Sequence, residues 1–242
     1  MMYKIYLVAV EDLKNNKIKN LIFFFIILGQ GLISAASVYF MPELLAGTGI
    51  PAKYLPEASA EMAFSESLEN LFLMGTLIVI LMTMQIFASD IELGTIYFTL
   101  SRPIKRYEYI LGNLISKFIV LSVTLIVSIM GFYIYSGVLF GTLPKVKVTE
   151  AILTFILLFL FVTTVTAMLS TRVTSLTSAL LTLLVILAFW YIPSIIHDLR
   201  IYSPFYLQEF EILEELEALL YSIFWILGFI LISIVGFQKR DL

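Results

Sequence analysis

The chain contains no cysteine, a single histidine and few charged residues for its 242-residue length. Without cysteine there are no disulfides, thiolate metal sites or cysteine nucleophiles. The single histidine, His197, excludes a paired-histidine zinc site and any HExxH motif. It stands at the end of an apolar run, where an interfacial anchor is a simpler role than a base oriented by Asp198. A buried Ser-His-Asp arrangement is hard to build around it. No GxxxxGK[ST] stretch occurs, so the chain does not hydrolyse nucleotide through a P-loop. Basic residues are few and flank apolar runs, which argues against nucleic acid. Charged residues make up 14% of the chain, against about 25% in soluble domains. No fold that must cover its surface with charge fits this composition.

What is present is apolar: 60% of residues are hydrophobic. Six intervals carry no Asp, Glu, Lys or Arg: 20–42, 70–89, 118–144, 151–171, 173–197 and 218–238. A hydrocarbon core of about 30 Å needs about 20 helical residues, and every interval is long enough. Barrel strands would run for about 10 residues with alternating polarity, and these runs are continuous. The expected fold is an all-α integral membrane protein with six transmembrane helices in one transmembrane domain, residues 1–242. The spans are expected at about 21–40, 70–89, 109–139, 149–170, 176–196 and 219–237.

Ten of the fifteen cations fall in the terminal segments and alternate loops that share one side, and Lys117, just inside the third span, makes eleven. The positive-inside rule therefore predicts an N-in, C-in topology in the cell membrane. Lys14, Lys17, Lys19, Lys105, Arg106, Lys239 and Arg240 are the expected membrane-interface cations. Lys117, just inside the third span, is expected to snorkel to the same face. No charged residue lies in the middle of a span, which argues against an ion-coupled transporter. Any pathway would then be lined by hydroxyl, aromatic and apolar groups, as suits an amphiphilic or lipid-like substrate.

Along the chain, residues 1–19 read as a short helix lying in the cytoplasmic interface. Their mixed charge argues against a cleaved signal peptide, despite Ser34-Ala35-Ala36. Residues 41–69 read as an outer segment with acids at Glu43, Glu57, Glu61, Glu66 and Glu69, a solvated loop and amphipathic approach rather than a cation site. Met74, Met82 and Met84 lie in the second span without regular spacing, as packing residues do. Thr163, Thr164 and Thr166 give the fourth span a polar flank for another helix. Residues 204–220 place Tyr206, Phe210, Leu213, Leu216 and Leu220 at helical spacing among glutamates. They predict an amphipathic helix dipping into the outer leaflet.

The most informative stretch is 90–111, DIELGTIYFTLSRPIKRYEYIL. It lies between two spans, with Gly94 free to bend the chain and Pro103 fixing φ and ending a short helix. Ile96, Tyr97, Phe98 and Leu100 are suited to plug an apolar cleft, with Arg102, Lys105 and Arg106 reaching acids or headgroups. The sequence Glu92, Gly94, Thr95, Leu100, Ser101, Arg102, Pro103, Ile104, Arg106 to Gly112 resembles the permease subunits of ABC-2 type transporters. Tyr202-Ser203-Pro204-Phe205 and the terminal Arg240-Asp241-Leu242 are similar to the same family.

The resemblance implies a cytoplasmic coupling helix between spans 2 and 3, docked on a separate ABC ATPase subunit. Its contact residues would be Glu92, Gly94, Thr95, Ile96, Tyr97, Phe98, Leu100, Ser101, Arg102 and Pro103. It also implies two permeases, identical or not, with two ATPases, and a re-entrant segment between spans 5 and 6. No cofactor is expected on this chain, since ATP and Mg would belong to the ATPase. The expected role is a non-catalytic exporter permease in contact with membrane lipid. The alternative is a mechanical transmitter that drives an extracytoplasmic partner, for example in metal-centre assembly, through Glu211, Glu214 and Glu215.

Overall fold

The structure is a computed structural model that describes residues 2–46, 58–101, 104–209 and 216–239. Every regular element among them is helical. Six helices are long and apolar enough to cross a membrane: Lys17–Glu43, Ala60–Glu92, Arg106–Phe140, Val148–Ser170, Ser175–Ile195 and Leu216–Gln238. They match the six uncharged intervals, but the boundaries differ in three places.

Helix α1 (Met2–Asn15) precedes α2 (Lys17–Ala46), which runs straight through Pro42. The proline was expected outside the span. It removes one N–H from the ladder, yet the helix continues for another turn. The second span begins at Ala60, ten residues earlier than the charge gap suggests. Ser59 caps it by accepting the Met62 N–H at 3.2 Å. Glu61, Glu66 and Glu69 ride on this first helix, α3 (Ala60–Asn70), which packs against α2 and the third span. The span then passes through a π turn, Leu71–Gly75, into α4 (Thr76–Thr83) and α5 (Gln85–Glu92).

After the short α6 (Thr95–Leu100) comes α7 (Arg106–Phe140), unbroken over 35 residues and capped by Gly141. Helix α8 (Val148–Ser170) is the hub. It packs on α4, α5, α7, α9 (Ser175–Ile195) and α10 (Leu216–Gln238). Phe155, Phe159, Phe161, Val162 and Val165 on α8 are fully buried. Thr163, Thr164 and Thr166 are buried among them. The Thr164 and Thr166 hydroxyls donate to the Phe161 and Val162 carbonyls at 2.8 Å. These bonds satisfy the hydroxyls within α8 itself; hydrocarbon offers helices no hydrophobic drive to associate, so close packing holds the bundle.

The third difference lies between α9 and α10. Residues 197–209 form two 3-10 turns, His197–Tyr202 and Pro204–Glu209, rather than an amphipathic helix from 204. They fold back into the bundle. Phe205 packs edge-on to Phe72 and Phe161, and the Tyr206 hydroxyl donates to the Trp190 carbonyl at 2.8 Å. The Ser203 hydroxyl donates to the Phe189 carbonyl at 2.7 Å, and the Trp225 indole donates to the Tyr202 carbonyl at 2.9 Å. Buried aromatics and backbone bonds outcompete helical periodicity here. Phe210, Glu211, Leu213, Glu214 and Glu215 lie outside the described residues.

Candidate functional site

The stretch between the second and third spans is drawn into the bundle at several points. Gly94 sits between α5 and α6 with φ +69°, a left-handed conformation that an L side chain adopts only with strain. This turn reverses the chain so that α6 lies back against the helix ends. Ile96, its second residue, is fully buried with Val8, Phe87, Ile110 and Phe237. Ile96 was expected among the groups offered to a partner. The turn at Gly94 aims it inward, and it anchors α6 instead. Leu93 and Tyr97 are 76% and 57% exposed, the large apolar groups this stretch presents outward. The side chains of Phe98 and Leu100 lie outside the described residues, as do Arg102 and Pro103. Ser101 follows α6 and is exposed.

The acids of the stretch are used within the chain. Glu92 Oε1 accepts the Ser175 N–H at 2.8 Å, and Oε2 accepts its hydroxyl at 3.3 Å. It thereby satisfies the start of α9, where free N–H groups and the helix dipole favour an anion. Asp90 accepts the Thr95 hydroxyl at 3.0 Å and also the Tyr109 hydroxyl. Glu108 is buried and accepts the Lys105 N–H at 2.8 Å, closing the first turn of α7. Tyr109, Phe87 and Phe237 form an aromatic triad with centroids 5.8–6.1 Å apart.

The cations divide. Lys14, Lys17, Lys19, Lys105 and Lys239 are exposed, and Lys105 lies 5.9 Å from the Tyr107 ring centroid. Arg106 turns to the end of α10, donating to the Phe237 and Gln238 carbonyls at 3.3 and 3.1 Å. Cations are favoured at a helix C-terminus, whose last carbonyls have no intrahelical partner. Arg240 lies outside the described residues.

One linkage escaped the sequence reading. Lys117 is 5% exposed and does not snorkel; its ammonium pairs with Asp12 of α1 at 2.9 Å. The same carboxylate accepts the Ser116 hydroxyl, and its other oxygen accepts the Asn16 amide at 2.7 Å. A turn away, α1 crosses α7 so closely that a Cβ on Gly112 would lie 2.5 Å from the Val8 Cβ. The available signal was an adjacent acidic pair in the leader, Glu11-Asp12, and a lone cation inside a span, both assigned to one side.

Helix α1, helix α6, the start of α7, the α8–α9 link and the end of α10 thus meet at one end of the bundle. Among the described residues, no three histidine or acidic side chains gather as a metal site would need. A family model described as "ABC-2 family transporter protein" matches residues 18–210. No individual curated protein matches the chain.

Proposed function

The chain belongs to the ABC-2 transporter family, and we propose that residues 93–101 are where a separate ATPase subunit pushes on it. It is a multi-pass integral membrane protein, the membrane component of an ABC transporter. The family implies an ABC ATPase partner and, typically, a dimeric arrangement. In our reading the end that gathers α1 and α6 faces the cytoplasm, with both termini inside, and the complex works as an exporter. ATP and Mg act on the partner subunit, and this chain carries no cofactor of its own. Two copies, or one copy and a second permease, complete the pathway.

The observation that carries this is the two-sided character of α6. Its inner side is locked by Ile96, while Leu93 and Tyr97 beside it are exposed. A lever needs such a contact: one face gripping the load and the other open to the driver. Charge supports the orientation, since eleven of fifteen cations are assigned by sequence to the side of the N-terminus.

The test pairs Leu93→Asp with Tyr97→Ala. Both side chains are exposed, so stability is expected to change by about 0.5 kcal/mol or less. Co-purification of the ATPase subunit is expected to fall at least about tenfold, as for a hot-spot contact. Undiminished co-purification from a correctly inserted double variant would refute the docking role. The alternative, mechanical drive of an outer partner, rests on Glu211, Glu214 and Glu215, and no observation favours it.

A further inference from the structure

Asp90, Thr95 and Tyr109 belong to three helices and meet at one carboxylate. Asp90 lies on the last turn of α5, Thr95 is the first residue of α6, and Tyr109 is the fourth of α7. Asp90 Oδ1 accepts the Thr95 hydroxyl at 3.0 Å, and Oδ2 accepts the Tyr109 hydroxyl. No cation pairs with Asp90 among the described residues. Both bonds are charge-assisted, and such bonds are roughly twice as strong as neutral ones.

Each end of this link is fixed by other contacts. The Tyr109 ring is 3% exposed and packs against both Phe87 and Phe237, so its hydroxyl is a fixed point on α7. The left-handed turn at Gly94 brings Thr95 back to Asp90. Other routes also join α6 to α7. One is the chain itself, residues 101–105. Another is the burial of Ile96 with Ile110. Apolar contact is non-directional and lets surfaces slide, whereas a hydrogen bond weakens steeply away from its preferred angle and distance. Toward α1, a cavity of about 340 Å³ lies against Asp90, Thr95 and Tyr109, so packing does not hold the carboxylate from that side.

We propose that Asp90 and Tyr109 are positioning residues for coupling: the carboxylate holds α6 through Thr95 and α7 through Tyr109, so a displacement of α6 reaches α7 across this bridge. The inference rests on the docking role of residues 93–101 and names the element that receives the push. Because the bridge ties the end of α5 to α7, bending of span 2 falls farther up, at Met84 or at the π turn. Glu92 does not duplicate the bridge, since its carboxylate is engaged by Ser175 of α9. The contacts of the Tyr109 ring with Phe87 and Phe237 do not need its oxygen. Tyr109→Phe therefore severs the bridge and keeps the aromatic triad.

The test is hydrogen exchange of the full chain with its ATPase subunit in nanodiscs, with and without a non-hydrolysable ATP analogue. In the unaltered chain the analogue is expected to change exchange both in residues 93–101 and in the first turns of α7. Tyr109→Phe is expected to keep ATPase co-purification and the change in 93–101, and to lose the change in α7. Asp90→Ala is expected to lose it too, and the double variant no more than either alone, because the two residues act as one unit. A merely structural role would raise exchange in α7 in both states and leave the analogue-dependent difference intact. Tyr107→Phe, which removes a hydroxyl two residues away, is expected to keep both changes. If Tyr109→Phe does not fold, Asp90→Ala makes the same test. An analogue-dependent change in α7 that survives these variants would overturn the proposal and leave the docking role standing. No change in 93–101 of the unaltered chain would overturn the docking role, and the proposal with it.

Discussion

The spans on either side of residues 93–105 have nearly the same length, 33 and 35 residues, and opposite construction. Span 3 is one uninterrupted helix. Span 2 is jointed: the π turn Leu71–Gly75 separates α3 from α4, and a turn at Met84 separates α4 from α5. Span 3 is also fastened to α1 at Gly112 and by the buried Asp12–Lys117 pair. Equal apolar length therefore does not mean equal stiffness. If α6 is pushed as proposed, α7 and α1 are expected to move as one body while span 2 yields at its joints. π turns within helices are frequent at functional sites, and this one lies where Phe72 meets Phe205 of the folded-back segment.

The comparison breaks most readily on its stiff side. Asp12→Ala leaves Lys117 buried without its partner, and loss of about 3–5 kcal/mol is expected. Lys117→Met is expected to cost as much, and the double variant much less than the two together. Denaturant unfolding of the purified protein measures all three. Additive losses would mean that the pair does not tie α1 to α7. Gly112→Val forces the α1–α7 crossing apart and is expected to cost about 1–3 kcal/mol by overpacking. Faster hydrogen exchange in α1, with α9 and α10 unchanged, would place that effect.

On the jointed side the expected effect is smaller. Glu92→Ala removes the acceptor at the start of α9, worth about 1 kcal/mol, as for a lost N-cap. Because span 2 already bends, exchange is expected to rise in the first turn of α9 and not in α7. A rise in α7 as large as that from Asp12→Ala would erase the distinction between the two spans.

Six spans were legible from charge spacing because a charge in the middle of a span is costly. The start of span 2 was not. Glu61, Glu66 and Glu69 closed the uncharged interval, but glutamate is a good helix former, so the helix extends beyond it. Gly94 was legible as a bend, since a glycine between two spans is a turn signal. Which way the turn aims Ile96 was not, because a six-residue helix has no periodicity long enough to assign a face. Tyr109 and Asp90 stood in the informative stretch without a role; their hydrogen bond spans 19 residues and depends on how α5 meets α7.

The sequence by itself determined that the chain crosses a membrane, how often, and where its cations collect. Those properties follow from the transfer energy of each residue, which needs no knowledge of neighbours. The tertiary structure decided which residues are used up inside the chain and which remain for others. Glu92, Ile96, Arg106 and Lys117 all read as surface or interface groups, and each is engaged by a residue at least 83 positions away or buried in a cluster drawn from distant helices. Such partnerships arise from packing angles between helices. Close approach at a residue like Gly112 sets those angles, and no local property of the sequence states them.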